Sequence, residues 1–490
     1  MASRRPSLPA CALLVPVLVS QPHQARAGAD DLLGVPAPVH TLLATLAGDY
    51  TGLPDQLDPR FGFAVALHGD TLAVGAPGTR VEAALPGFIN DRGAVFVFRR
   101  DPASNTWLPD QRFDYPSLNA GHCGHSLALN DNTLLVGCPM HGSGGRVVFH
   151  GRANSGAPFS SVQFFDDQSV QNGARCGTSV ALVDSAPGTN SILPMAAVGC
   201  PERRDFPANV VGLVGGVDIY RNFLGWQPAT SLNGPAITVT GFGQSVGLNR
   251  AGPAPGMTLL LAIGVPGLGS SNGTVRVFAM GNTVADWTQE HQLTGLSTGS
   301  RFGYSVHMRG GRLAVGAPER RFTNPGTLDP VTAGSLSIAT RACTFQGTCS
   351  WSAVVTEALP LPPPPNASAI AQMRMGHAVH ALTPDRVLAG APFYPAAQWT
   401  GQARHYQLAG GTWGLNSSEP FYPQGAAAPA TAHFGHSVSG DDTWLAIGAP
   451  LYPDPVTEGA SGRVYVYAWD FDDTLFDHDF ECSAPEPGCI

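Results

Sequence analysis

Short runs with a period of two residues recur along the chain between residues 50 and 469. In two clear examples, at 95–98 and 464–467, valine alternates with an aromatic residue. This period is that of a β-strand, whose side chains point alternately to opposite faces. No apolar pattern with helical spacing persists for three turns in the same region. The chain is therefore predicted to be all-β.

The runs belong to a unit that occurs seven times, at intervals of 53 to 73 residues. The first unit contains Phe61-Gly62, then Gly75-Ala76-Pro77, then Gly93 followed by apolar residues. The first pair recurs at Cys123-Gly124, Cys176-Gly177, Phe242-Gly243, Phe302-Gly303, Met375-Gly376 and Phe434-Gly435. The triplet recurs at Gly137-Cys138-Pro139, Gly199-Cys200-Pro201, Gly264-Val265-Pro266, Gly316-Ala317-Pro318, Gly390-Ala391-Pro392 and Gly448-Ala449-Pro450. The third feature recurs at Gly145, Gly216, Gly273, Gly334, Gly401 and Gly462. A repeat of this length indicates a modular fold.

These pairs and triplets, in this order and number, resemble the FG-GAP repeats of the integrin α-subunit propeller and of many secreted bacterial proteins. The resemblance covers residues 50 to 469. It implies a seven-bladed β-propeller of four-stranded blades, used for binding more often than for catalysis. The implied repeats begin near residues 60, 122, 175, 241, 301, 374 and 433.

The first two strands of each unit are predicted to form a hairpin. Phe61 and Ala76 are centred on the turn at His68 and Gly69, so a large side chain faces a small one. A fourth strand is predicted in five units, at 107–113, 161–165, 226–232, 287–293 and 351–359. The seventh unit has no convincing fourth strand. Because a closed ring leaves no long edge, we expect an N-terminal strand at Leu53 to Leu57, which matches the segment from Leu108, to close the last blade.

The first 27 residues have the composition of a secretory signal peptide, with early arginines, an apolar run from Cys11 to Val19 and a small-x-small cleavage signal. No other stretch is apolar enough to span a bilayer. A lead segment is expected at 28–49, the propeller at 50–469 and an acidic tail at 470–490. The tail loosely resembles one that closes secreted proteins of γ-proteobacteria. The expected location is extracellular, at the cell surface or in the periplasm of a Gram-negative bacterium.

Eight cysteines remain after the signal peptide. Cys123 and Cys138 replace the facing Phe and Ala of unit two, and Cys176 and Cys200 do so in unit three. Opposed strand residues lie within disulfide range, so we pair 123 with 138 and 176 with 200. The remaining cysteines give Cys343 with Cys349 and Cys482 with Cys489, which fits an oxidising compartment. A metal site is the alternative, although no two cysteines have the two-residue spacing of a zinc knuckle.

Charge and composition limit the partners and cofactors. The formal charge is −9, all 27 basic residues are arginine, and there is no basic run, which argues against a nucleic-acid partner. Many propellers of the resembled family carry an Asp-x-Asp-x-Asp-Gly calcium loop between their first two strands. The equivalent turns here, such as that at Arg309, do not offer three spaced carboxylates. We expect no integral metal or cofactor.

Candidate binding residues lie in the segments that follow each Gly-Ala-Pro, which are long and dissimilar and share one face of the ring. Two of these loops begin alike, with Pro-Glu-Arg-Arg. Arginines clamp carboxylates or phosphates, and aromatic rings stack on sugars or anchor proteins. The candidates are Arg203, Arg204, Arg320, Arg321, Phe393, Tyr394 and Tyr452. The alternative is that the glutamates neutralise the arginines within the loops and the aromatics cap the core.

A histidine tier is predicted at the residue that follows each Phe-Gly pair. Around the ring this residue is Phe63, His125, Thr178, Gln244, Tyr304, His377 and His436. Ordinary packing is favoured over a catalytic or metal role, because no carboxylate joins the histidines in register. No catalytic residue is therefore assigned.

Taken together, these features predict a secreted or cell-surface binding or adhesion module that presents variable loops to a protein or glycan. The alternatives are an extracellular polysaccharide hydrolase or lyase and a passive envelope or matrix component. An enzyme of that kind needs paired carboxylates that converge in a pocket. The oligomeric state is left open.

Overall fold

All regular elements of the described residues are β-strands, as the period of two predicts. The computed structural model describes residues 39–53, 56–82, 89–115, 120–167, 173–185, 193–204, 214–235, 241–251, 258–267, 271–323, 330–344, 348–352, 355–357, 373–393, 400–409, 412–415, 421, 431–453 and 461–470. The signal-peptide prediction at 1–27 and the tail cysteines Cys482 and Cys489 lie outside them. Within these ranges, no helix has the length and apolar character that crossing a bilayer requires.

The strands form seven antiparallel sheets, one for each repeat, which are the blades of a propeller. Blade 1 comprises β2 (Ala64–His68), β3 (Thr71–Ala76), β6 (Ala94–Asp101) and β7 (Thr106–Asp114). Blade 2 comprises β8 (Ser126–Leu129), β9 (Thr133–Cys138), β10 (Arg146–Gly151) and β11 (Ser161–Asp166). Blade 3 comprises β12 (Ser179–Val183), β13 (Met195–Cys200), β14 (Gly216–Asn222) and β15 (Trp226–Asn233). Blade 4 comprises β16 (Ser245–Ala251), β17 (Thr258–Val265), β18 (Thr274–Met280) and β19 (Trp287–Thr294).

The remaining blades vary more in their outer strands. Blade 5 comprises β20 (Ser305–Arg309), β21 (Arg312–Ala317) and β24 (Ser335–Cys343), and two short strands, β25 (Cys349–Trp351) and β26 (Val355–Glu357), both pair with β24. Blade 6 comprises β27 (Ala378–Thr383), β28 (Arg386–Ala391), β29 (Gln402–Ala409) and β30 (Thr412–Leu415). Blade 7 contributes β31 (Ser437–Gly440), β32 (Trp444–Ala449) and β33 (Arg463–Asp470). Two loops carry small hairpins, β4 (Arg80–Glu82) with β5 (Ile89–Asp91), and β22 (Arg321–Thr323) with β23 (Pro330–Thr332).

An N-terminal strand closes the ring, as predicted, but it is a different segment. The closing strand is β1 (Val39–Leu46), which pairs antiparallel with β33 and completes blade 7. The predicted segment was wrong: Leu53, Gln56 and Leu57 lie outside any strand. The strand at 39–46 supplies eight residues for the ladder with β33, more than the five residues of the predicted segment. The closing strand lies in the segment predicted as a lead.

The repeated glycines form the joints between blades. A Cβ on the glycine of each Gly-Ala-Pro triplet would lie 1.9 to 2.1 Å from the carbonyl oxygen of the Phe-Gly glycine of the next blade. The contact occurs seven times, and Gly448 against Gly62 joins the last blade to the first. A side chain at either position would therefore push two blades apart, which explains why the two glycines repeat together.

The core is divided among the seven interfaces between blades. Each of the seven apolar clusters combines residues of two neighbouring blades. Leu46 of the closing strand belongs to the cluster between blades 7 and 1. Burial of apolar surface thus holds each blade to its neighbours and fixes the ring.

Three disulfides are present among the described residues. They join Cys123 to Cys138, Cys176 to Cys200 and Cys343 to Cys349, which are pairs that the sequence predicts. The first two bonds occupy the sites of the facing Phe and Ala of other blades, where Phe61 and Ala76 are completely buried. A covalent bond replaces the contact between two apolar side chains at those two sites, and all four cysteines belong to interblade apolar clusters.

Candidate ligand-binding face

One face of the ring carries the beginnings of the innermost strands together with the ends of the second strands. We call it the signature face. The residue that precedes each Phe-Gly pair on this face has a positive φ, between 50° and 67°. In six of seven blades this residue is basic: Arg60, His122, Arg175, Arg301, Arg374 and His433. These six are called the mouth residues, and each directly precedes the signature pair that leads into an innermost strand.

A tight turn sets the backbone of the mouth residues. The carbonyl of Arg60 accepts a hydrogen bond from the N–H of Phe63 at 3.0 Å, and the equivalent bond occurs in every blade. Blade 4 uses Gly241 at this position, where no side chain opposes a positive φ. A left-handed backbone costs a residue with a Cβ about 1 kcal/mol. Its repeated use with arginine and histidine therefore indicates a role for the side chains.

Carboxylates neutralise three of the four mouth arginines. Arg60 pairs with Asp58 at 2.7 Å, Arg175 with Glu202 at 2.9 Å and Arg301 with Glu319 at 3.3 Å. The two glutamates belong to the Pro-Glu-Arg-Arg loops. The alternative interpretation was that each glutamate neutralises an arginine of its own loop. In the structure, each glutamate pairs with a mouth arginine instead.

Arg374 differs from the other mouth arginines, since no carboxylate of the described residues pairs with it. Its guanidinium carbon lies 4.6 Å above the centre of the Phe393 ring. The ring of Phe393 lies 4.5 Å from that of His433 and 6.4 Å from that of His377. We call Arg374, Phe393 and His433 the open cluster, because its cation has no internal counter-charge among the described residues.

The imidazole of His433 does not supply a second positive charge. Burial, together with the nearby Arg374, lowers its pKa to about 4. The open cluster therefore offers one guanidinium, one neutral imidazole and one aromatic ring. A guanidinium can hydrogen-bond to an anionic group, and an aromatic ring can pack against a flat apolar surface.

The predicted histidine tier lies directly below the mouth. Phe63 stands between His436 and His125, with ring centres 4.6 and 5.0 Å away, and His377 lies 4.6 Å from His436. The Nδ1 atom of His377 donates to the carbonyl of His436 at 3.2 Å, and that of His436 donates to the carbonyl of Phe63 at 3.1 Å. Burial lowers the pKa of both imidazoles, that of His377 to about 4. They are neutral, packed groups.

Further along the channel lies a cavity of about 240 Å³. Valine, leucine, alanine and methionine make up most of its lining, and the polar side chains that line it are His307, His380 and Ser439. The two histidines stack with ring centres 3.8 Å apart. None of the described residues lining this cavity carries a carboxylate.

The two predicted arginines of the blade 3 loop differ in exposure. Arg203 is 11% exposed and is held by Asp218 at 2.5 Å and Asp167 at 3.4 Å. Its Nη2 also lies 3.1 Å from the sulfur of Cys200. Arg203 is therefore occupied within the protein, whereas Arg204 is exposed.

In the blade 5 loop, the guanidinium of Arg320 lies 4.7 Å from the ring centre of Phe322, and Arg321 is exposed. Tyr452 is half-buried, with Arg463 over its ring at 5.4 Å. Tyr394 lies outside the described residues. Of the predicted binding residues, Phe393 alone falls in the open cluster.

Sequence reasoning missed the mouth residues. The available signal was a basic residue directly before the signature pair in six of seven repeats. An arginine before Phe-Gly does not by itself indicate a positive φ. The left-handed backbone that distinguishes these residues is visible only in the structure.

No protein-family model matches the chain, and no curated protein sequence matches it. Among solved structures, the periplasmic gluconolactonase PpgL of Pseudomonas aeruginosa matches with 17% identity and a TM-score of 0.39. The match covers 75% of this chain and 88% of that one. At this level of similarity it carries no argument about activity.

Proposed function

We propose that this protein is an FG-GAP-type binding module that works outside the cytoplasm and holds an acidic glycan at the mouth of its channel. The observation that carries the proposal is the open cluster, in which Arg374 stacks on Phe393 without a carboxylate of the described residues beside it. The equivalent arginines of blades 1, 3 and 5 are each neutralised internally.

The chemistry of the cluster favours a negatively charged sugar. A guanidinium that stacks on an aromatic ring keeps the donors along its edge available, and their spacing matches a carboxylate or sulfate group. The Phe393 ring adds apolar surface beside this charge, which suits the C–H groups of a sugar. A uronic-acid or sulfated polysaccharide combines both features.

The rigidity of the ring supports a function of display. Seven interblade clusters and three disulfides hold the mouth residues at fixed spacing, so ligand binding does not have to order them. Disulfides are typical of an oxidising compartment, which supports a location outside the cytoplasm.

The test is binding of the purified protein to an array of neutral, uronic-acid and sulfated glycans. R374Q should weaken binding to acidic glycans about tenfold or more, because it removes a charge-assisted hydrogen bond. R60Q is the matched control: it changes the same backbone position, but its arginine already pairs with Asp58. It should change affinity by less than about threefold.

Three results would reject the proposal. Equal binding of the wild type and R374Q would show that the open cluster is not part of the binding site. Selective binding to matrix proteins with no glycan binding would assign a protein ligand instead. Shortening of a polysaccharide during the incubation would show an enzyme.

A further inference from the structure

We infer that blade 5 binds a small monovalent anion, of the size of chloride, beside Arg320 at its interface with blade 4. A cavity of about 20 Å³ lies at this interface. Its lining includes Arg320, Ser300, Ser335, Ser337 and Thr294, with Phe302 and Ala317 from the signature motifs. This volume has room for one water molecule or one small ion.

At the equivalent position between blades 2 and 3, the carboxylates of Asp167 and Asp218 lie beside Arg203. This arrangement indicates that the guanidinium needs a negatively charged partner. Strand register makes Asp218 of blade 3 equivalent to Ser337 of blade 5, since the residues paired with Gly199 and Gly316 are Val217 and Leu336. Asp167 is equivalent to Gly295, because both N–H groups donate to the glycine that opens the neighbouring third strand. Blade 5 therefore keeps the arginine and lacks both carboxylates.

The loop backbone is the same in the two blades. The carbonyl of Arg203 accepts from the N–H groups of Val214 and Gly215, and that of Arg320 accepts from those of Ala333 and Gly334, at 2.9 to 3.1 Å. The two arginines thus leave the backbone at equivalent points. The contacts that their side chains make are different.

A partly buried cation without a counter-charge is costly, because burial removes water that would stabilise it. Burial lowers the pKa of Arg320, whereas in Arg203 the bonds and charges of Asp218 and Asp167 overcome the effect of burial and raise the pKa. Since no carboxylate of the described residues forms an ion pair with Arg320, an anion in the cavity would supply a counter-charge.

Hydroxyl groups complete the site. Ser335 is 1% exposed, and its Oγ has no hydrogen-bond partner among the described atoms. A hydroxyl can donate to an anion, and Thr294 places a further hydroxyl in the same lining, whereas the hydroxyl of Ser300 donates to the carbonyl of Asn272 at 3.0 Å. The cavity is too small for sulfate or phosphate, which selects a halide.

The test compares urea unfolding of the purified protein in sodium chloride and in sodium methanesulfonate at equal ionic strength. Chloride should raise the unfolding midpoint of the wild type, progressively with its concentration between about 5 and 500 mM. R320Q and the double variant S335G/S337D should lose this chloride dependence. The first removes the cation, and the second supplies an internal carboxylate, with glycine replacing Ser335 because blade 3 has Gly216 at the equivalent position.

The matched control is R203Q, which changes the equivalent arginine of blade 3. It should be less stable than the wild type and keep the same chloride dependence. Crystals soaked in bromide should show an anomalous peak beside Arg320. Equal midpoints of the wild type in the two salts, or an unchanged chloride dependence in R320Q, would overturn the inference and leave the cavity to water.

Discussion

Blades 3 and 5 carry loops that begin with the same four residues, Pro-Glu-Arg-Arg, yet they use their first arginines differently. Arg203 is enclosed by two carboxylates and two sulfurs. Arg320 has an aromatic ring and hydroxyl-lined space beside it. The difference comes from Asp218, which lies on β14, and Asp167, which directly follows β11. The short motif therefore fixes the path of the backbone. Residues distant in sequence determine whether the first arginine of the motif forms ion pairs within the protein.

The largest expected effect on stability is in blade 3, where carboxylates enclose Arg203. D218N should lower the free energy of unfolding by about 3 kcal/mol, because it leaves the buried Arg203 with only the longer contact to Asp167. Urea unfolding at neutral pH measures the change. The matched variant S337A in blade 5 should cost less than about 1 kcal/mol. A loss below about 1 kcal/mol for D218N would show that the ion pair adds little to stability.

The repeats explain why this much of the molecule could be predicted. Each signature glycine has one role, the joint between blades, so seven copies reveal the ring and its strands. The cysteine pairs follow for the same reason, since they replace residues that face each other in every hairpin. These are local features, repeated in register.

The closing strand, the enclosure of Arg203 and the open cluster depend on contacts between distant segments. Nothing near 39–46 in the sequence shows that this segment pairs with 463–470. Alignment of the repeats shows Phe393 where Glu202 and Glu319 follow their triplets, but it does not show that the residue at this position contacts the arginine before the signature pair. The sequence shows which residues are available for such contacts, but only the folded structure shows which distant segments lie next to each other.

The second prediction concerns a titrating group that blade 5 has and blade 3 lacks. His307 lines the channel where blade 3 has Ala181, and its Nδ1 accepts a hydrogen bond from the N–H of Ala381 at 3.1 Å. Burial lowers its pKa from 6.5 to about 4. The unfolded chain therefore takes up the proton first, so the stability that the neutral imidazole contributes is complete above about pH 6.5 and is lost as the pH falls toward 4.

Between pH 7 and pH 5 this one group should account for a loss of about 2 kcal/mol. Urea unfolding of the wild type and H307Q across this range measures it. Glutamine keeps an acceptor but does not titrate, so the stability of H307Q should fall less steeply. As a control, A181S in blade 3 should keep the slope of the wild type. Equal slopes for H307Q and the wild type would show that His307 does not titrate between the two states.

The third prediction converts blade 5 toward blade 3. In S335G/S337D the new carboxylate should couple to Arg320 by about 1 kcal/mol, because the pair is only partly buried. A double-mutant cycle with R320Q, measured in methanesulfonate, isolates this coupling from the cost of placing glycine in a strand. A coupling of zero would mean that the cavity does not bring position 337 to the guanidinium.

The smallest effect on stability is expected at the second arginine of each loop, which is exposed in both blades. Arg204 and Arg321 follow the two compared arginines and are exposed in both blades. R204Q and R321Q should each change the free energy of unfolding by less than about 0.5 kcal/mol, because an exposed charge remains solvated whether the protein is folded or not. Urea unfolding in chloride, with D218N as the reference for a large effect, measures both. A loss comparable to that of D218N in either variant would show that the second arginine also has an internal partner, and the difference between the blades would then not be confined to the first.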